Sequence, residues 1–152
     1  MSRSLGWYYA GHMSQMLQIQ VEQVGPSTSK ATARSHEVFI DRPTAKGGAD
    51  RGPAGGEYLL IAWGGCFMSH LLAAIRARDA QISDVKISAS GTLDGSPERF
   101  TALTLTISAI HTDAALLRKL AEMAERSCQV SSTLRQAVPL SLVFEEPVRQ
   151  SA

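Results

Sequence analysis

Apolar and polar residues alternate through Leu17-Gln18-Ile19-Gln20-Val21-Glu22-Gln23-Val24, the period of two that a strand with one covered face requires. Gly25-Pro26-Ser27 breaks the alternation, and residues 32–34 and 36–40 read as one or two further strands, so an antiparallel meander is predicted. The pattern then changes. From Tyr58 to Met68 the chain is almost continuously apolar, which predicts a helix over about 56–78, apolar on most sides in its first half and therefore buried. Arg76 and Arg78 fall near its C-terminal end, where the helix dipole favours cations. Residues 84–93 and 100–110 predict a strand pair, with the clearer alternation in Thr101-Ala102-Leu103-Thr104-Leu105-Thr106-Ile107 and a turn at Asp94-Gly95-Ser96-Pro97. Asp113 is placed to cap a second helix, whose stripe is Leu116, Leu117, Leu120, Met123 and Ala124. A short helix over 131–136 and a closing strand over 138–145 complete the order βββ-α-ββ-α-β. The class is α+β, with a single domain over 14–148 preceded by a leader over 1–13.

Between meander and helix lies Arg42 to Gly56, with five glycines and two prolines, predicting a long loop of the kind that is often functional in a small domain. Its glycines match no phosphate-cradling pattern, because no Gly-Lys-Ser/Thr follows and no G-x-G-x-x-G opens the helix. A net charge of +1 gives no reason to expect nucleic acid or an anionic membrane as partner. A hydrophobic fraction of 44% and a charged fraction of 19% argue for a packed chain. The run from Tyr58 to Met68 is shorter than the roughly 20 residues of a membrane span, and the segment holding Trp7, Tyr8 and Tyr9 lacks the long apolar stretch of an export signal. The expectation is a cytoplasmic protein, in which any disulfide is transient.

Two cysteines carry the candidate chemistry. Cys66 sits inside the apolar helix and Cys128 at the end of the amphipathic one. Each is open to two readings, a small core hydrophobe or half of a redox pair, because thiol reactivity depends on thiolate character and apolar burial suppresses it. Gly64-Gly65 before Cys66 costs roughly 1 kcal/mol per glycine in a helix interior. That cost is understandable if another segment approaches there, the Cys128 segment being one candidate and tight helix packing another. At Cys128 a helix ending would disfavour a thiolate and a helix beginning would favour it. Cys66 and His70, four residues apart, share a helix face but have no identifiable third, orienting group. The scattered cysteines and histidines lack zinc-site spacing, so no metal is expected.

The string Gly47-Gly48-x-Asp50-x-Gly52-Pro53, followed by Glu57-Tyr58-Leu59-Leu60-x-Ala62-x-Gly64-Gly65-Cys66, resembles the cysteine-helix region of the OsmC/Ohr-like family. Ala124-Glu125-x-Ser127-Cys128-x-Val130-Ser131-x-Thr133-Leu134 resembles the same family's second-cysteine segment. The resemblance implies an intertwined homodimer with central helices packed between sheets and active sites at the subunit interface. It also implies a thiol-dependent peroxidase for organic hydroperoxides in oxidative stress defence, using neither metal nor other cofactor and recycled by an external thiol or lipoyl-type dithiol. Cys66 would be the peroxidatic thiolate and Cys128 the resolving thiol. A family arginine and glutamate would hold the thiolate ionised, which points to Arg42, with Arg51 as second choice, and to Glu57. Trp63, Phe67 and Met68 are candidates for lining an alkyl pocket or for the core. The family's glutamate falls ten residues before its cysteine, where this chain has Gly56; Glu57 is nine before, rotated by roughly 100° and about 13 Å from Cys66 along a straight helix. Glu57 therefore acts through an intervening arginine or serves only the helix N-terminus. The alternative to a peroxidase is a non-catalytic member that binds a small apolar ligand at its dimer interface.

Overall fold

The computed structural model describes residues 14–146. The expected leader over 1–13, and residues 147–148 of the expected domain, lie outside the described residues. Two compact units divide between Pro53 and Ala54.

The first unit is the predicted meander. Strands β1 (Gln20–Gln23), β2 (Ser29–Ala33) and β3 (His36–Ile40) pair antiparallel in the order β1-β2-β3, with Val21 opposite Ala31 and Ala31 opposite Val38. β1 is shorter than the alternation over 17–24 suggests. Its neighbour β2 ends at Ala33 and turns through Arg34, whose φ of 58° is left-handed, so by the same register Leu17 and Gln18 run past the end of β2. Lys30 on the central strand reaches Glu22 and Glu37, each at 3.1 Å, tying all three strands on one face.

The loop that follows is pinned rather than loose. Asp41, only 3% exposed, accepts from Thr28 Oγ1 (2.8 Å) and from the backbone N–H groups of Arg42 (2.8 Å) and Arg51 (3.3 Å). Its own N–H donates to Pro53 C=O at 3.2 Å, so both ends of the loop meet at one residue. Inside it, Thr44–Lys46 forms a 3-10 turn and Asp50 N–H returns to Arg42 C=O. Two glycines are required by close approach: a Cβ on Gly48 would lie 1.9 Å from the Arg42 carbonyl oxygen, and one on Gly52 2.2 Å from that of Phe39. The Arg51 guanidinium lies 4.8 Å from the centre of the Phe39 ring.

The second unit holds the core. Helix α1 (Gly55–Ala77) leads into the hairpin β4 (Ile82–Asp94) and β5 (Arg99–His111), then α2 (Ala114–Ser127), α3 (Gln129–Leu134) and β6 (Leu140–Phe144). The sheet order is β4-β5-β6, antiparallel between β4 and β5 and parallel between β5 and β6, because α2 and α3 form the crossover that a parallel return needs. The period of two in β5 is realised as Leu103, Leu105, Ile107 and Ala109, all buried. They meet Trp63, Phe67, Leu71 and Ile75 of α1 and Leu117, Leu120, Ala121 and Ala124 of α2 in the core. Asp113 caps α2 as expected, its Oδ1 accepting from Leu116 N–H at 2.9 Å.

The apolar run of α1 does not stop at Met68. Ser69-His70 is followed by Leu71-Leu72-Ala73-Ala74-Ile75, giving a helix of 23 residues with a mean hydropathy of 1.7 over an 18-residue window. By length and composition that helix is long and apolar enough to cross a membrane, which corrects the expectation drawn from the shorter run. Its buried residues recur at spacings of four along one stripe and pack on the sheet, as a core helix does.

Asp41 gives the first testable outcome. Its hydrogen bonds from Thr28, Ser27, Arg42 and Arg51 outweigh burial and hold its carboxyl well below the usual carboxylate range. A depressed folded-state pKa contributes stability above the unfolded value, near 4, and loses it as the pH falls through the folded value. Asp41→Asn should therefore lower the thermal midpoint of the full chain at neutral pH. The gap from wild type should narrow progressively below about pH 4. Melting curves by circular dichroism across pH check both statements.

Candidate active site

Trp63 and Cys66 lie one turn apart on α1, and Phe67 follows, so one face of the helix carries an indole, a thiol and a phenyl ring toward α3 and the sheet. The other half of the site comes from the break between α2 and α3. Cys128 has extended backbone angles, φ −73° and ψ 113°, and serves both helices. Its N–H donates to Ala124 C=O at 2.9 Å, ending α2, while its C=O accepts from Ser132 N–H at 2.9 Å, starting α3. Its sulfur takes the N–H of Ser131 at 3.4 Å, as an N-capping side chain does. The sequence left open whether Cys128 closes one helix or opens another, and it does both.

The fold brings the two thiols together. Cys66 is half-buried, Cys128 is fully buried, and both belong to one core cluster, where each thiol feels the other electrostatically. Burial pushes the Cys66 thiol up and contact with Cys128 adds to this; the backbone N–H groups of Val130 and Gln129, aimed at the sulfur from the start of α3, pull the other way without cancelling it. For Cys128 burial again opposes ionisation, but Ser131, through its hydroxyl and its N–H, then Cys66 and the Val130 N–H, together bring the thiol below its ordinary value. Within the second unit, then, the start of α3 favours a thiolate at both sulfurs, and only at Cys128 does it outweigh burial.

Glu57 occupies the third position of α1, and its Oε2 accepts from Ala54 N–H at 2.7 Å, satisfying a donor at the helix N-terminus. Arg42 and Arg51 lie in the first unit, exposed, on the loop that Asp41 organises. Arg51 spends its guanidinium on Phe39, and the Arg42 backbone is clasped by Gly48. Trp63 and Phe67 are fully buried core residues, whereas Met68 lines a surface groove with Leu60, Ile61, Gly64, Gly65, Ile87 and Ala89. His70 is half-buried farther along α1.

The glycine pair before Cys66 does not mark the approach of the Cys128 segment. A Cβ at Gly64 would make ordinary contact with Ala89 at 3.8 Å and Ile87 at 3.9 Å, and one at Gly65 would meet nothing within 4 Å. Both glycines instead floor the groove. Ser131 stands in the second-cysteine segment but was given no role of its own, although its spacing held a clue. Ser131 follows Cys128 by three residues, the interval at which a cap meets the third residue of its helix, and Trp63 precedes Cys66 by three. Trp63 Nε1–H donates to Ser131 Oγ at 2.9 Å, joining α1 to α3 inside the core.

Comparison with known proteins agrees with the fold. No curated protein matches the chain. Among solved structures, an OsmC-like protein from Mycoplasma pneumoniae superimposes with a TM-score of 0.75 at 13% identity, covering 88% of this chain and 100% of its own. An organic hydroperoxide resistance protein OsmC from Legionella pneumophila gives 0.68 at 16% identity, covering 87% and 98%. The organic hydroperoxide resistance protein OhrB of Bacillus subtilis gives 0.64 at 20% identity, covering 86% and 98%. At such identities these likenesses speak for the fold. The sequence profile of OsmC-like proteins matches residues 47–143, more than half of the chain and both cysteine segments. With the βββ-α-ββ-α-β order and the paired thiols, this chain belongs to the OsmC-like family.

Proposed function

We propose that the chain is a thiol-dependent peroxidase that reduces organic hydroperoxides, on the observation that Cys66 and Cys128, far apart in sequence, are gathered into one core cluster where each thiol feels the other. Membership of a family with organic hydroperoxide resistance proteins among its structural neighbours supports a peroxide-stress role. In the proposed cycle the Cys66 thiolate attacks the distal oxygen of ROOH, the O–O bond breaks, and RO⁻ leaves and takes a proton. Cys66 is then a sulfenic acid. The Cys128 thiolate attacks that sulfur, hydroxide leaves as water with one proton, and a disulfide joins the pair. An external thiol or lipoyl-type dithiol of the cytoplasm returns both to thiols by exchange.

Cys66 has the higher proton affinity of the two within its own unit, so its ionisation needs a cation. Arg42 is the residue assigned to that task, with Arg51 second because its guanidinium already rests on Phe39. Glu57 is assigned to orient the arginine in addition to its cap. We further assign the exposed face of α1, with Ile61 54% and Leu72 39% exposed beside the groove, to a second copy of the chain in a homodimer. A small apolar ligand in the same groove, of about 440 Å³, is the non-catalytic alternative.

One equivalent of cumene hydroperoxide should consume both thiols of the wild type. It should leave an oxidised Cys66 trapped in Cys128→Ser, read by intact mass and thiol count. Unreacted thiols in the wild type would refute the peroxidase reading in favour of the ligand-binding one. Removing Cys128 takes away a contact that raises Cys66, so Cys128→Ala should lower the ionisation midpoint of Cys66, measured by NMR of labelled cysteine across pH. Gly65→Trp, which points into open space within its own chain, should shift the protein toward monomer in sedimentation analysis; a wild type that already sediments as a monomer would remove the dimer from the scheme.

A further inference from the structure

The loop between β3 and α1 is closed at its neck by one buried carboxylate. Asp41 Oδ1 accepts from Arg42 N–H at 2.8 Å, while Oδ2 accepts from Thr28 Oγ1 at 2.8 Å and from Arg51 N–H at 3.3 Å. The two oxygens thus hold opposite sides of the neck, and the residues they hold there are the two candidate arginines. Asp41 and Thr28 are each 3% exposed, so water competes little for these bonds. Only a carboxylate accepts at both oxygens; an amide has one acceptor and would turn an NH2 group against one of the two N–H donors. The Arg42 backbone is fixed from its other side as well. Its C=O accepts from Asp50 N–H at 3.1 Å, and Gly48 packs on it too closely for any side chain. The Arg42 guanidinium, by contrast, is exposed and makes no hydrogen bond or ion pair among the described residues. Lys46 and Asp50, the other charges of the loop, are exposed too. A backbone held this firmly beneath an unspent cation is how a fold sets a charge in place for use.

We propose that Asp41 is a positioning residue for the peroxide reaction: by clasping Arg42 and Arg51 at the neck of the loop, its carboxylate fixes where the assisting guanidinium stands. This rests on the reading above, in which Arg42, or Arg51 in its place, serves Cys66, and it adds the residue on which that service depends. An opposite charge favours a thiolate strongly only within about 4–6 Å, so a guanidinium on a long stem loses most of its effect when its backbone wanders. Asp41 touches neither peroxide nor sulfur in this scheme and acts through the arginine alone. Its own negative charge would oppose a thiolate. Neutralising Asp41 therefore has opposite signs under the two mechanisms: direct electrostatics would make Cys66 more acidic, and loss of positioning makes it less so. Thr28 belongs to the same device, as a buried side chain that donates to the carboxylate.

The test reads Cys66 as the sole thiol. In full-length Cys128→Ala protein its ionisation midpoint is followed by NMR of labelled cysteine, alone and with Asp41→Asn, Thr28→Val, Thr28→Ser, or Arg42→Gln combined with Arg51→Gln. Asp41→Asn should raise the midpoint by about one pH unit, a tenfold loss of thiolate below it. Thr28→Val should raise it by less, and Thr28→Ser, which keeps the hydroxyl, should restore the parent value. Added to the double arginine variant, Asp41→Asn should raise the midpoint no further. The rate at which Cys66 reacts with cumene hydroperoxide at neutral pH should fall with each rise in midpoint and recover as the pH is raised, which a loss of fold stability alone would not produce. A folded Asp41→Asn whose midpoint stays or falls overturns the proposal while the arginine variant still shifts; should Asp41→Asn fail to fold, an unchanged midpoint in Thr28→Val does so. An arginine variant that leaves the midpoint unmoved sinks the arginine assignment and this inference with it. A Cys66 inert to peroxide with all the shifts present sinks the peroxidase reading alone.

Discussion

The contact between α1 and the start of α3 is the constraint on which the second unit depends. Here a tryptophan, a serine and two thiols are gathered in the core, where an unpaired polar atom is costly, so their positions must be solved together. Trp63 brings the largest side chain in the core and a single donor, and Ser131 is the acceptor within reach. The break between α2 and α3 supplies the geometry. A continuous helix would send Ser131 N–H to the carbonyl four residues back, whereas the extended angles of Cys128 free it for the sulfur. The chain interruption and the chemistry thus have one cause.

Much of the architecture could be read from residue order because its elements rest on periodicities with few rivals. β5 alternates so regularly that four of its residues enter the core in step, and α2 shows its stripe and its Asp113 cap openly. The glycine-rich loop and the two cysteine segments were legible as family motifs, and the profile match over 47–143 agrees. What resisted reading depends on long-range partners. Asp41 resembles any surface aspartate after a strand, and only the folded loop reveals that Thr28 and the N–H of Arg51 converge on it. Residues 17 and 18 run past the end of β2, a property of that neighbour rather than of their own alternation.

The thiols illustrate the division at finer scale. That both cysteines are candidates could be argued from their settings; that the donors outweigh burial at Cys128 and not at Cys66 could not, since it depends on a helix start created by Cys128 itself. Gly64 and Gly65 drew attention for a sound energetic reason, yet they face a groove and not the second thiol. A glycine reveals that room is needed and says little about what fills it. The same holds for α1, whose hydropathy satisfies the demands of a bilayer and of a protein core alike.

The parallel pairing of β5 with β6 has a consequence for the order in which the molecule is made. β4 and β5 form a local hairpin that can close early, while β6 must wait for the whole crossover of α2 and α3 to be laid across the sheet. Cys128 sits in that crossover, 62 residues beyond Cys66. The thiol pair is accordingly a long-range contact that needs the crossover docked on α1. Until that crossover docks the two cysteines are separate thiols, so any chemistry that needs both is tied to closure of the fold.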